Sequence, residues 1–122
     1  MPEKKQYISH SNAFGRIFIS EDVISSIVYH TLCETEGFAG LSARLNSEFG
    51  NALSSKYWRK GMNITITEKG NLLLEVNILV YYGVNVIELA KSVQDSITNA
   101  VGSTTGLYPK RVHVNVCGIV RK

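Results

Sequence analysis

Two runs of alternating apolar and polar residues, joined by a short turn, constrain this chain more than any other feature. The first run covers residues 62–66 and the second covers residues 72–80. Alternation places every second side chain on the same face of a strand, so each run presents one apolar face. The connecting segment 68–71 contains Gly70, which can adopt the left-handed conformation of a tight turn. The pattern predicts a β-hairpin with one buried face and one mixed face.

Strand and helix patterns precede this hairpin. Residues 15–20 alternate as a short strand does. Ser20 is followed by two acidic residues, and a hydroxyl cap with carboxylates at the positive end of the helix dipole predicts a helix start there. Apolar residues then recur at helical spacing across 21–35, and Gly37 ends this helix. Residues 40–60 show a narrow apolar edge, which predicts a short and weak second helix.

A further helix and a final strand follow the hairpin. Asn85 and Glu88 have the spacing of a capping box, in which the Asn side chain accepts from the third helical amide. We expect this helix to end at Gly102. The last strand then has two faces: Val112, Val114, Val116 and Val120 on one, and Arg111, His113, Asn115, Cys117 and Ile119 on the other.

These elements, in the order β-α-(α)-β-β-α-β, predict an α+β fold. We expect a two-layer sandwich in which a four-stranded, mostly antiparallel sheet carries the helices on one face. Residues 1–14 are polar and show no periodicity. We therefore expect a flexible N-terminal arm over residues 1–14 and a single domain over residues 15–122.

The composition limits the class of protein. The chain has 122 residues, of which 44% are hydrophobic, and a formal net charge of +3. That is enough for one core, and the charge alone names no partner. The longest apolar run, residues 72–90, contains two glutamates and does not cross a bilayer as one helix. We see no secretion signal, lipidation motif or basic amphipathic helix. We expect a cytoplasmic protein without direct membrane insertion, which reaches the inner face of the cell membrane only through a partner.

Residues with metal-binding or catalytic chemistry are few. His30 and Cys33 form one pair, and His113 and Cys117 form another. Four residues on a strand span about 13 Å, so the second pair does not reach a single ion. Neither cysteine lies beside a nucleophile elbow or an oxyanion-hole pattern, and no phosphate-binding glycine motif is present. We predict free thiols in or near the core, no enzymatic activity, no cofactor and no metal.

Two segments leave a nucleic-acid-binding alternative open. Gly37-Phe-Ala-Gly40 lies between two predicted helices, the setting in which a KH domain clamps a nucleic-acid backbone. Two glutamates beside it oppose phosphate binding, and the same pattern also fits a helix stop. Residues 56–60 interleave cations with aromatic rings, as single-strand-binding proteins do. The candidate nucleic-acid contacts are Gly37, Gly40, Lys56, Trp58, Arg59 and Lys60.

The mixed face of the predicted sheet is the stronger candidate for an interaction surface. Apolar residues are scattered there among polar ones, and partly apolar patches often mark protein–protein contacts. We expect the chain to bind itself or a protein partner through this face. The candidate residues are Phe18, Leu73, Leu79, Cys117 and Ile119.

Motifs spread along the chain resemble one known family. They are Gly15-Arg-Ile-x-Ile-Ser-x-Asp-Val-Ile24, Glu36-Gly-Phe-Ala-Gly40, Lys60-Gly-Met-x-Ile64, Val80-Tyr-Tyr-Gly-Val-Asn85, Val93-Gln-x-Ser-Ile97, Thr105-Gly-Leu107 and Val112-x-Val-Asn-Val-x-Gly-Ile-Val120. Together these motifs resemble the alkaline shock protein family of Gram-positive bacteria over residues 15–120.

The resemblance implies a function and supplies no catalytic residues. It implies a small cytoplasmic protein linked to cell-envelope and alkaline stress. Some members of the family self-associate and are held at the inner face of the membrane by a separate anchoring protein. Other members of the family are linked to the regulation of lipid synthesis. The resemblance therefore favours a non-enzymatic interaction protein.

Overall fold

The computed structural model of this chain describes residues 7–42 and 61–121. Its elements, in chain order, are β1 (Tyr7–Asn12), β2 (Gly15–Ser20), α1 (Glu21–Cys33), β3 (Phe38–Leu41), β4 (Met62–Ile66), β5 (Leu72–Tyr81), α2 (Val86–Thr105) and β6 (Arg111–Val120). The predicted α+β class and the four-stranded sheet are confirmed.

The hairpin that dominates the sequence is β4–β5. Its register runs from Met62 opposite Val76 to Ile66 opposite Leu72. Gly70 has φ +86°, and its N–H donates to the Thr67 carbonyl at 2.8 Å. The inward row of β5 is buried to between 0% and 2% exposure, at Leu72, Leu74, Val76, Ile78 and Val80. The predicted alternation is confirmed.

Strand β5 is the centre of the four-stranded sheet. One of its edges pairs antiparallel with β4 and then with β3, and the other edge pairs parallel with β6. The change of partner occurs at Asn77, whose carbonyl accepts from Ser42 N–H at 2.8 Å and whose N–H donates to Gly61 O at 2.7 Å. The parallel pairing follows from the crossover through α2, which returns the chain in the same direction. Among the described strands the sheet is mixed, with two antiparallel pairings and one parallel pairing.

The fourth strand of this sheet is not the one that the sequence predicts. Strand β3 fills that place, in a segment predicted as a helix stop followed by a weak helix. The strand at Gly15–Ser20 instead pairs with Tyr7–Asn12 in a separate two-stranded sheet. The expectation of a loose arm is therefore wrong for residues 7–12, where Ile8 is only 5% exposed. Most of the predicted weak helix, residues 43–60, lies outside the described residues.

Both helices pack on one face of the four-stranded sheet. Helix α1 buries Ile24, Val28 and Leu32, and α2 buries Leu89, Val93, Ile97 and Val101, all against the inward row of β5. The predicted cap of α2 is confirmed, because Asn85 Oδ1 accepts from Glu88 N–H at 3.1 Å. Ser20 occupies the N-cap position of α1, but its side chain makes no capping hydrogen bond in the structure as described.

Helix α2 continues past its predicted end at Gly102 and stops at Thr105. Gly106 has φ +84° and donates its N–H to the Gly102 carbonyl at 2.9 Å, which closes the helix with a left-handed residue. Gly102 has a different role, because the ring of Tyr108 occupies the space that a side chain at residue 102 would take. Gly102 is therefore a packing glycine in the last helical turn, and the prediction that the helix ends there is wrong.

Candidate interaction surface

The outer face is the side of the four-stranded sheet that points away from the helices. Register and alternation assign it the following residues: Asn63, Thr65, Leu73, Glu75, Asn77, Leu79, Tyr81, Arg111, His113 and Asn115. All of these residues are exposed or partly exposed, whereas the helix-facing row of β5 is buried. The sequence prediction of one buried face and one mixed face is confirmed for β5.

Polar side chains occupy the centre of the outer face. The Asn115 Nδ2 group donates to Glu75 Oε2 and to Asn77 Oδ1, each at 2.8 Å. These bonds join β6 to β5 through side chains as well as through the backbone. The bond to the carboxylate is charge-assisted and therefore among the stronger ones available at a surface. The register also places His113 beside Glu75. The centre of the face is thus a set of side chains held in fixed positions.

Apolar side chains lie at the two ends of this polar centre. Leu73 and Leu79 share the outer row of β5 and are about 20 Å apart, at about 3.3 Å per residue. Tyr81 extends the apolar end beyond Leu79, and both residues are partly exposed. A protein bound on this face would therefore meet leucine at both ends and amide and carboxylate groups in the middle.

A β-bulge changes the assignment of two predicted surface residues. The register advances from Ile78 opposite Val116 to Leu79 opposite Gly118, which leaves Cys117 as an extra, exposed residue. Ile119 then lies opposite Val80, in the helix-facing row, although it remains 58% exposed. The expectation that Ile119 shares the outer face with His113 is wrong, because an inserted residue reverses the alternation.

Phe18 is also separate from the outer face. It lies on β2 in the two-stranded sheet, is 58% exposed, and packs edge-to-face against Tyr7 with ring centroids 6.1 Å apart. Of the five predicted surface residues, the structure brings only Leu73 and Leu79 together on one face, with Cys117 at its margin.

The predicted nucleic-acid motif does not form a loop between helices. Gly37 follows α1, has φ +96°, and accepts from Tyr81 N–H at 3.0 Å. Gly40 belongs to β3 and pairs with Leu79. The backbone of this segment pairs with β5, so the predicted setting of a loop between two helices is wrong. The other candidates, Lys56, Trp58, Arg59 and Lys60, lie outside the described residues.

The cysteine and histidine pairs stay on separate elements. Both thiols are exposed, so the expectation that they lie in or near the core is wrong. His30 and Cys33 lie on α1, whereas His113 and Cys117 lie on β6. In residues 7–42 and 61–121, no three His, Cys, Asp or Glu side chains are grouped as a metal site would require. A hydrogen bond with the exposed Cys33 thiol raises the pKa of Tyr29 above its ordinary value of 10.0.

A groove between the helices was not anticipated from the sequence. It has a volume of about 980 Å³ and runs between the C-terminal end of α1 and the length of α2. Small polar residues and a few apolar ones line it, together with the three glutamates Glu34, Glu36 and Glu88. It is broad and open to solvent, and its acidic lining does not fit an anionic ligand. No helix in the described ranges is long and apolar enough to span a membrane.

These features define a small α+β domain with an open sheet face. Residues 9–121 match the profile of the alkaline shock protein 23 family, which is described as having a cell envelope-related function. The match covers most of the chain, so the protein belongs to this family. The resemblance seen in the sequence motifs is confirmed.

Relatives of similar length support this assignment. An uncharacterized protein of Streptococcus pyogenes, Spy1614, is 28% identical over 107 residues, which are 86% of this chain and 88% of the relative. Two uncharacterized proteins of Bacillus subtilis are also similar. YloU is 25% identical over 87% of this chain and 89% of its own length. YqhY is 23% identical over 86% of this chain and 77% of its own length. No solved structure matches the chain significantly.

Proposed function

We propose that this protein is a non-enzymatic scaffold in cell-envelope or alkaline stress homeostasis, acting by self-association and by docking to a protein partner. Its cell envelope-related family function sets the context. The observation that carries the proposal is the outer face, where apolar and ordered polar side chains remain accessible although the opposite face is sealed. We propose further that the protein is cytoplasmic and that its partner holds it at the inner face of the membrane.

The polar centre of the outer face is suited to pairing with a second copy. The bonds from Asn115 use its amide nitrogen and the amide oxygen of Asn77. Among the described residues this leaves an acceptor oxygen on Asn115 and donor hydrogens on Asn77. A face that presents both donors and acceptors can pair with itself across a two-fold axis, as isologous dimers do. The leucines at both ends would then contribute apolar contact area.

Sedimentation velocity over a concentration series tests the proposal. We expect the wild-type protein to show a sedimentation coefficient that rises with concentration. Leu79→Glu places a carboxylate at one apolar end of the outer face, and an unpaired charge in an interface is costly. We therefore expect this variant to associate at least about tenfold more weakly, which corresponds to about 1.4 kcal/mol.

The control is Ile87→Glu, which adds the same charge at a 64% exposed position on the first turn of α2. This variant should associate like the wild type, because residue 87 lies on the helix side of the molecule. Circular dichroism checks that both variants keep the fold. A wild-type protein that stays monomeric, or a Leu79→Glu variant that associates normally, contradicts the proposal.

A further inference from the structure

The β1–β2 hairpin stands clear of the rest of the molecule at its tip. Its two-residue turn consists of Ala13 and Phe14, with Asn12 opposite Gly15. Phe14 is 100% exposed. Ile17 and Phe18 point to opposite faces of the ribbon, yet they are 51% and 58% exposed. A ribbon that exposes apolar residues on both faces is not lying on the protein surface.

The base of the same hairpin is anchored. Ile8 joins the core at 5% exposure. His10 Nε2 lies 3.0 Å from the Thr105 carbonyl at the C-terminal end of α2, and because a carbonyl only accepts, the ring nitrogen donates. Asn12 Oδ1 accepts from Phe14 N–H at 2.8 Å, which fixes the turn. The tip is therefore held in a defined position by a fixed base.

The chemistry of the hairpin is apolar and cationic. Residues 7–20 contain no aspartate or glutamate, and their one permanently charged side chain is Arg16. Tyr7 and Phe18 form an exposed aromatic pair farther from the tip. Aromatic side chains favour the interfacial region of a bilayer, and arginine extends its charge toward phosphate groups while its stem remains in apolar surroundings.

We propose that the tip of the β1–β2 hairpin is a lipid-contact site that takes the headgroup region of an anionic membrane. Strand geometry places Arg16 about 7 Å and Phe18 about 13 Å behind Phe14. When Phe14 enters the boundary between headgroups and acyl chains, Arg16 lies at the depth of the phosphates and the aromatic pair lies at the outer edge of the headgroups. Lipid would contact both faces of the inserted hairpin tip, which suits a hairpin that exposes apolar side chains on both faces.

This contact goes beyond the proposed scaffold function and involves a different surface. The expectation of no direct membrane insertion rests on the apolar run at residues 72–90, which does not cross a bilayer, and on the lack of a lipidation motif and a basic amphipathic helix in the sequence. A hairpin tip that reaches only the headgroup region is a different kind of contact. One phenylalanine wedge gives weak, reversible binding, comparable to a single lipid anchor at most. Such a contact would add to a partner-mediated attachment by raising the effective concentration at the membrane.

Co-sedimentation of the full chain with vesicles tests the proposal. One set of vesicles contains equal parts of phosphatidylglycerol and phosphatidylcholine, and a second set contains phosphatidylcholine alone. We expect the wild type to bind the anionic vesicles at millimolar lipid. For Phe14→Ser we expect a partition coefficient that is lower by a factor of up to about ten. Arg16→Gln should reduce the preference for anionic vesicles. Ile87→Ser, which removes an apolar side chain at a 64% exposed position on α2, should bind like the wild type.

A fluorescent reporter locates the contact. In a Trp58→Phe background the chain has no other tryptophan, so Phe14→Trp gives a single reporter at the tip. Lipids brominated on their acyl chains should quench it, and Ile87→Trp in the same background should stay unquenched. Absence of binding to anionic vesicles, or equal binding by Phe14→Ser, overturns the proposal. The proposal is also overturned if no lipid binding occurs and Phe14→Ser lowers the sedimentation coefficient relative to the wild type. The tip would then be a protein contact.

Discussion

Substitution of Gly102 by alanine gives a stability prediction whose sign depends on one neighbouring ring. Gly102 is a buried glycine in the last turn of α2, and the ring of Tyr108 lies where an alanine methyl group would be built. An alanine elsewhere in the interior of a helix stabilises by about 1 kcal/mol relative to glycine. At this position the new methyl group requires the Tyr108 ring to leave its place.

The magnitude follows from the two opposing effects. Overfilling a packed site costs about 1–3 kcal/mol. The Tyr108 ring is 57% exposed, so it can turn toward solvent, and the cost lies in lost packing rather than in displaced backbone. We expect Gly102→Ala to destabilise the fold by about 1 kcal/mol net. In a Tyr108→Ala background the obstruction is gone, and the same substitution should stabilise by up to about 1 kcal/mol.

Urea unfolding followed by circular dichroism measures this double-mutant cycle. The control is Ser103→Ala at the adjacent exposed position, where we expect a change below about 0.5 kcal/mol. A Gly102→Ala variant that is more stable than the wild type, with the same increment in the Tyr108→Ala background, would show that the ring does not constrain residue 102.

Two further stability predictions follow from local contacts. Asn85→Ala removes the side-chain acceptor for the Glu88 N–H and should lower the free energy of unfolding by about 1 kcal/mol. Asn85→Ser keeps a side-chain acceptor and should retain most of this stability. Equal losses for both variants would exclude a capping role. Gly61→Ala should be more damaging, at about 2 kcal/mol or more, because residue 61 has φ +92° and its Cβ would lie 2.7 Å from the Ser42 carbonyl oxygen. Unfolding in urea measures both, and a neutral Gly61→Ala would refute the close approach of residues 42 and 61.

Regular hydrophobic patterns identified most of the fold from the sequence. The alternation in β4 and β5 and the cap of α2 involve interactions between residues close in the chain, so the sequence carries them directly. Strand β3 was missed because its four residues, Phe38–Leu41, include a glycine and follow a helix. Its strand character comes from pairing with β5, which is distant in sequence. Tertiary context of this kind overrides local propensity.

The same limit applied to the candidate surface. Leu73 and Leu79 were assigned to the outer face by alternation alone, and the structure agrees. Ile119 was misplaced because one inserted residue, Cys117, reverses the alternation, and nothing in the sequence marks the bulge except Gly118 beside it. The sequence does not predict the β1–β2 hairpin, because its first strand, Tyr7–Asn12, is mostly polar. The available signal in the sequence is the pair Asn12 and Gly15, since Asn and Gly mark turns.

The proposed contact between copies through the outer face can be tested with the asparagine side chains as internal probes. Asn63, Asn77 and Asn115 lie on the outer face, whereas Asn85 and Asn99 lie on the helix side. Their side-chain NH2 signals can be followed by NMR with a soluble gadolinium chelate at increasing protein concentration. We predict that relaxation enhancement falls at the outer-face amides and stays constant at the helix-side amides. Enhancement that falls on the helix side instead, or that changes at neither set, would contradict it.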